Sequence, residues 1–187
     1  MSVPETFLDE LAARSRIPAG GAAAAAAVAM AAALAAKGAR FSVGSWPEAE
    51  GAVAQAQALR LRVAGLATKN EGSYAQALGA LGEPREADPA RRDWQLGRAL
   101  AAATDVLLEL AEAGAAVAEL AATVAELGEQ ELRPDMAVAA ALAEAGTRAA
   151  AHLVAVNLGI VEDDPRVPRA KKLAEAAAEA ARTAAAL

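Results

Sequence analysis

The side chains of this sequence that could do chemistry stand far apart along the chain. Its single histidine, His152, follows Arg148 by about one helical turn on the same face. An imidazole can act as a general base, but no carboxylate is spaced to orient it, so a plain surface or interface role fits it better. Asp135 opens an uncharged helical stretch, where its carboxylate serves either as an N-cap or as an acid at the edge of the apolar core. Asn157 comes about six turns later, on a similar side of that helix. An amide set among Val and Leu needs hydrogen-bond partners when buried, and either a neighbouring backbone or a ligand can supply them. Asn70-Glu71-Gly72-Ser73-Tyr74 is a polar interruption in an apolar segment; it reads as a ligand-facing turn of helix or as an exposed face. Glu162-Asp163-Asp164 carries the oxygen ligands a hard cation takes, yet a short acidic loop is ordinarily just solvated, and no metal is expected there. No serine–histidine, phosphate-loop or dinucleotide pattern occurs. With no cysteine, disulfides and thiolate zinc sites are excluded.

These groups must be positioned by helices, and one helix organises the rest. Pro18-Ala19-Gly20-Gly21 forms a turn, and an alanine-dominated helix follows it to about Val43. A helix that is apolar all round is buried on every side or lies in a membrane. From Gly20 to Ala36 there are 17 uncharged residues, the short limit for a span, and most are only marginally apolar alanines. The first residues are acidic and amphipathic (Pro4, Glu5, Asp9, Glu10) rather than basic and then apolar. The expectation is a soluble cytoplasmic chain with no membrane partner. Backbone N–H groups at the glycine-rich start of the helix are free to face a ligand oxygen or anion.

Around it, Ser2-Val3-Pro4-Glu5 has the spacing of a capping box, and Phe7, Leu8 and Leu11 form a stripe ending near Arg14. Gly44-Ser45-Trp46-Pro47 breaks the alanine helix, and a third helix runs to about Leu81. Its Gly51, Gly65, Gly72 and Gly79 predict close approach of a backbone or ligand. A loop over Gly82 to Pro89 leads to a long helix from Ala90 to Leu127, with a bend expected near Gly114. After Glu129 to Pro134, a helix capped by Asp135 reaches Leu158. A polar loop to Pro168 precedes a terminal helix from Arg169 to Leu187. The class is all-α: one domain over residues 1–187, a bundle of five to six helices around the alanine helix. Apolar residues make up 56% and aromatics 3%, so the core is built of Ala, Leu and Val. The net charge of -6 and absence of a basic face exclude nucleic acid as the main partner.

The order of these segments resembles the cyclodeaminase/cyclohydrolase family, which contains formiminotetrahydrofolate cyclodeaminases and methenyltetrahydrofolate cyclohydrolases. The resemblance rests on Phe7-Leu8-Asp9-Glu10-Leu11-Ala12, on Pro18-Ala19-Gly20-Gly21-Ala22 opening the alanine helix, on Asn70-Glu71-Gly72-Ser73-Tyr74, on Pro134-Asp135 and on Asn157-Leu158. It covers nearly the whole chain. It implies a homodimer with a folate pocket, a tetrahydrofolate derivative as substrate and no separate cofactor. The reaction it implies is closure of 5-formiminotetrahydrofolate with loss of ammonia, or hydration of the 5,10-methenyl bridge. It carries Gly20 and Gly21 over as backbone donors, and Asn70 and Asn157 as ligand-binding amides. The family's acidic position falls on Asn70, so Asp135 and the neighbouring Glu71 are the carboxylates left for proton transfer. Lys37, Arg40 and Lys69 are the cations placed to meet a glutamate tail.

Overall fold

Alanine sets how closely the helices of this protein approach one another. The computed structural model describes residues 5–82, 89–159 and 163–187. Helix α1 spans Glu5–Ala12, α2 Gly20–Phe41, α3 Ala49–Gly82 and α4 Pro89–Leu127. A 3-10 turn at Gln130–Leu132 leads into α5 at Arg133–Asn157, and α6 is Arg166–Ala186. No strand occurs among the described residues. Helix α2 packs on α3, α4 and α5, while α6 lies across α4 and α5. The bundle core is a continuous cluster in which Ala25, Val28, Ala32 and Ala35 of α2 meet Val63, Leu110, Val117, Met136 and Ala140.

Helices α2 and α5 cross closely at Gly146. A Cβ added there would stand 2.6 Å from Val28 Cγ2 and 2.9 Å from the Ala24 carbonyl oxygen. The missing side chain lets the two helices touch through backbone. The two helices run antiparallel: Gly20 faces Leu153 at one end, and Lys37 meets Asp135 at the other. Buried Ser42 fastens the far end of α2 to the end of α4, its hydroxyl donating to the Gly38 carbonyl (2.9 Å) and accepting the Glu129 N–H (3.0 Å).

Several expectations change. Helix α2 gives its inner face to the core, but Ala23, Met30 and Ala33 remain exposed on an outward stripe of the single chain. Length and composition alone would let α2 cross a membrane, and more than half of its most apolar 18-residue stretch is buried in the bundle. Asp135 is not the cap of α5. Leu132 holds that position without a side-chain hydrogen bond, and Asp135 stands within the first turn. Helix α6 starts at Arg166, earlier than expected, because Pro168 falls in its first turn, where a missing N–H costs nothing. The glycines of α3 mark no close approach, since nothing lies within 4 Å of a Cβ placed on any of the four. Residues 2–4 of the capping box, and residues 83–88 of the loop expected from Gly82 to Pro89, lie outside the described residues.

Candidate functional site

The start of α2 gathers most of the residues singled out in the sequence. Ala19 precedes the helix in extended conformation and offers no side-chain cap. Its carbonyl takes the N–H groups of Ala22 (2.9 Å) and Ala23 (3.3 Å), leaving those of Gly20 and Gly21 outside the helical ladder. The positive end of the α2 dipole adds to their pull on an oxygen. On the neighbouring helix, Asn70 lies directly against Gly21: a Cβ at Gly21 would overlap the Asn70 amide, coming within 2.9 Å of its Cγ. A methyl at Gly21 would have to displace that amide from its place.

Asn70 is 7% exposed, and its side-chain amide forms no hydrogen bond with any other described residue. The amide is not shut off from outside the chain, so its carbonyl and amino groups are open to water or to a ligand. Tyr74, one turn further on the same face, is half-buried beside it, and Glu71 flanks it, half-buried and turned about 100° around α3. From the other side comes α5. Leu153 Cδ1 is 4.0 Å from a Cβ placed on Gly20, and Asn157 follows one turn later on the same face, at the mouth of α2. Leu153 was not singled out in the sequence. It reads there as one more core leucine, and only the close pairing of α2 with α5 identifies it as a wall of this site.

Asp135 is elsewhere. It bonds Lys37 Nζ at 2.6 Å, with both side chains nearly half exposed. Lys37 is 16 positions from Gly21 along α2, so within one chain the pair lies about 24 Å from the site. Lys69 is exposed next to Asn70, whereas Arg40 is exposed at the distant end. His152 is exposed on the outer side of α5, and Arg148 pairs with Glu144 at 2.7 Å. Of the acidic loop, Glu162 lies outside the described residues. Asp164 accepts the Arg166 backbone N–H (2.9 Å) and its guanidinium (2.9 and 2.7 Å), and these bonds hold its carboxyl down to about 2. Arg166 also reaches Asp105 at 2.8 Å, and both partners push its own pKa further up. This cluster secures the start of α6. A surface groove between α3 and α4 holds Gln76, Gln95 and an Arg98 guanidinium stacked 4.8 Å from the Trp94 ring, away from the start of α2.

The sequence matches the formiminotransferase-cyclodeaminase family over residues 4–185. The chain belongs to that family. As a family member it is 35% identical over 167 residues to a methenyltetrahydrofolate cyclohydrolase of Methylorubrum extorquens, covering 85% of this chain and 80% of that one. Its fold matches the crystal structure of formiminotetrahydrofolate cyclodeaminase from Thermotoga maritima with a TM-score of 0.86, covering 98% of this chain and 93% of the other at 23% identity. The all-α class and the family resemblance read from the sequence are both borne out.

Proposed function

We propose that this family member is a cytoplasmic, homodimeric enzyme of folate one-carbon metabolism that hydrolyses the 5,10-methenyl bridge of tetrahydrofolate. The observation that carries this reading is the 35% identity with a methenyltetrahydrofolate cyclohydrolase across most of both chains. Gly20, Gly21, Asn70 and Asn157, gathered at one helix end, support it.

In the reaction, water adds to the cationic carbon between N5 and N10, and a base removes one of its protons. The adduct then collapses with cleavage of the carbon–N5 bond, and a proton goes to N5, giving the 10-formyl product. The start of α2 acts on the difference between these states. Its positive end disfavours the cationic bridge and favours the oxygen of the adduct, so its field assists hydration. The N–H groups of Gly20 and Gly21 are the donors for that oxygen. Asn70 has both a carbonyl and an amino group for the pterin edge, and Asn157 supplies a second amide. An amide cannot take a proton from water, so the base is a carboxylate: Glu71 beside Asn70, or Asp135 brought from outside the chain's own site. Lys69 meets the glutamate tail.

The absorbance of 5,10-methenyltetrahydrofolate, followed beside a protein-free blank, tests this. Saturable acceleration is expected. No acceleration at any protein concentration would refute it. One observation, the amide at position 70, favours an alternative: a family member that binds a folate without turning it over. That reading predicts saturable binding with hydrolysis at the blank rate. Loss of ammonia from 5-formiminotetrahydrofolate, assayed in parallel, separates the cyclodeaminase reading.

A further inference from the structure

The hairpin of α3 and α4 extends beyond the start of α2. Gln76 and Gly79 lie six and nine residues past Asn70 on α3, about 9 and 14 Å further along its axis. There a groove of about 420 Å³ runs between the two helices, within the size range of small-molecule clefts. It is lined by Gln76 of α3 and by Trp94, Gln95 and Arg98 of α4, while Gly79 and Ala99 contribute no side chain longer than a methyl. Three of these residues hold something open that the chain itself does not fill. The Gln95 carbonyl oxygen is buried without a donor. Arg98, stacked on the Trp94 ring, makes no ion pair or hydrogen bond with any described residue. Gly79 carries the conformational cost of a helical glycine although nothing lies within 4 Å of a Cβ placed on it. We propose that this groove is a second binding site, separate from the start of α2, for a small planar anion that bears an N–H donor.

Each residue fixes one property of the ligand. Held 4.8 Å from the indole centroid, the Arg98 guanidinium has its N–H groups free, and their fork matches a carboxylate or phosphate through two parallel bonds. A buried carbonyl without a donor is costly. Gln95 as a whole is only half-buried, so turning its flexible side chain brings that oxygen to a ligand N–H and removes the cost. The exposed Gln76 amide, on the α3 side, offers both a donor and an acceptor to a ring edge. The small residues between the two helices leave room for something thin rather than bulky. Trp94, 60% exposed, presents ring surface against which a flat heterocycle packs. Two sources share this chemistry, a nucleoside monophosphate and a heteroaromatic carboxylate such as orotate. They differ only in the anion that Arg98 holds.

The chain has two tryptophans, Trp94 in the groove and the buried Trp46, so their indole N–H signals in NMR give a local reading that needs no turnover. The nitrogen-15-labelled full chain is titrated with adenosine 5′-monophosphate and, separately, with orotate, the Trp94 signal being assigned by its loss in Trp94→Phe. A saturable shift of the Trp94 signal with at least one probe is expected below about 1 mM, with the Trp46 signal in place. The probe that saturates at the lower concentration identifies the anion as phosphate or carboxylate. Arg98→Gln should weaken that binding about ten- to hundredfold through its lost charged hydrogen bonds. Gly79→Leu fills the groove without meeting the rest of the fold, so it should abolish the shift while keeping the circular dichroism of the parent. A Trp94 signal that moves with neither probe, or moves without saturating, overturns the proposal. So does a shift that persists unchanged in Gly79→Leu, or one that disappears in a folded Asn70→Leu chain, which would put the ligand at the start of α2. None of these readings uses methenyl hydrolysis, so they stand whether or not the cyclohydrolase reading does.

Discussion

Two glycine-to-alanine changes in helices should move stability in opposite directions, and the structure fixes both signs. Either change removes the entropic cost of a helical glycine, a gain of about 0.5–1 kcal/mol. At Gly65, on the outer face of α3, nothing lies within 4 Å of the added methyl, so the gain stands alone. At Gly146 the methyl meets Val28 Cγ2 at 2.6 Å and the Ala24 carbonyl oxygen at 2.9 Å. One of these is backbone and the other belongs to a fully buried side chain, so neither can swing aside. Relief requires α2 and α5 to separate, which places the cost near the upper end of overpacking, about 3 kcal/mol. The net loss is about 2 kcal/mol. For a chain of this size, with about 2–4 °C of Tm per kcal/mol, Gly146→Ala should melt about 4–8 °C lower and Gly65→Ala about 1–4 °C higher. Thermal unfolding followed by circular dichroism at 222 nm reads both. A Gly146→Ala protein that melts at or above the parent temperature would refute the close crossing of α2 and α5.

Other perturbations act on single groups. Asn70→Asp places a carboxylate at the family's acidic position beside Gly21 and should raise kcat for methenyl hydrolysis by about tenfold or more, since positioned bases contribute about 10²–10⁴; an unchanged or lower kcat counts against a base being needed at that point. Ser42→Ala strands the Glu129 N–H and should cost about 1–3 kcal/mol in urea unfolding, with no change in KM. Asp164 titrates near 2 in the folded protein against an ordinary 3.8, so its contribution to stability is full above about 4 and is lost as pH falls toward 2. Asp164→Asn should therefore melt below the parent at neutral pH and converge with it by about pH 2; curves that stay parallel would exclude this carboxylate as the source. Asp135→Asn removes a pair that is nearly half exposed on both sides, so its cost in stability should stay below about 1 kcal/mol, and any loss of turnover cannot be attributed to unfolding.

Much of this architecture was legible because alanine, leucine and glycine act locally. Helix propensity and glycine-rich breaks located the six helices of the described residues, and the Pro18-Ala19-Gly20-Gly21 turn marked where α2 begins. Information carried between distant segments was not legible. Asp135 has the residue type and place of a cap, but Pro134 can enter the helix itself, and Lys37 takes the carboxylate from 98 positions away. Nothing local distinguishes Gly21, against which a neighbouring amide packs, from Gly65, which faces open space. That difference depends on which helix lies opposite. The four candidates came from three separate segments, and only antiparallel α2 and α5 put Leu153, and Asn157 one turn beyond it, at the Gly20 end.

The alanine interior also fixes which sequence changes this protein can absorb. Fully buried Ala31, Ala32, Ala35 and Ala39 carry the smallest side chain above glycine, so truncation there removes one methyl and every other replacement adds volume to closed space. Cores built of leucine or phenylalanine lose stability mainly through holes; this one can fail almost solely through excess bulk. A saturation scan should show α2 as an alternating record, with its inner positions rejecting every larger residue and its outer ones accepting them wherever no second chain is packed. The pattern of acceptance along one helix would thus map the assembly without a structure of it.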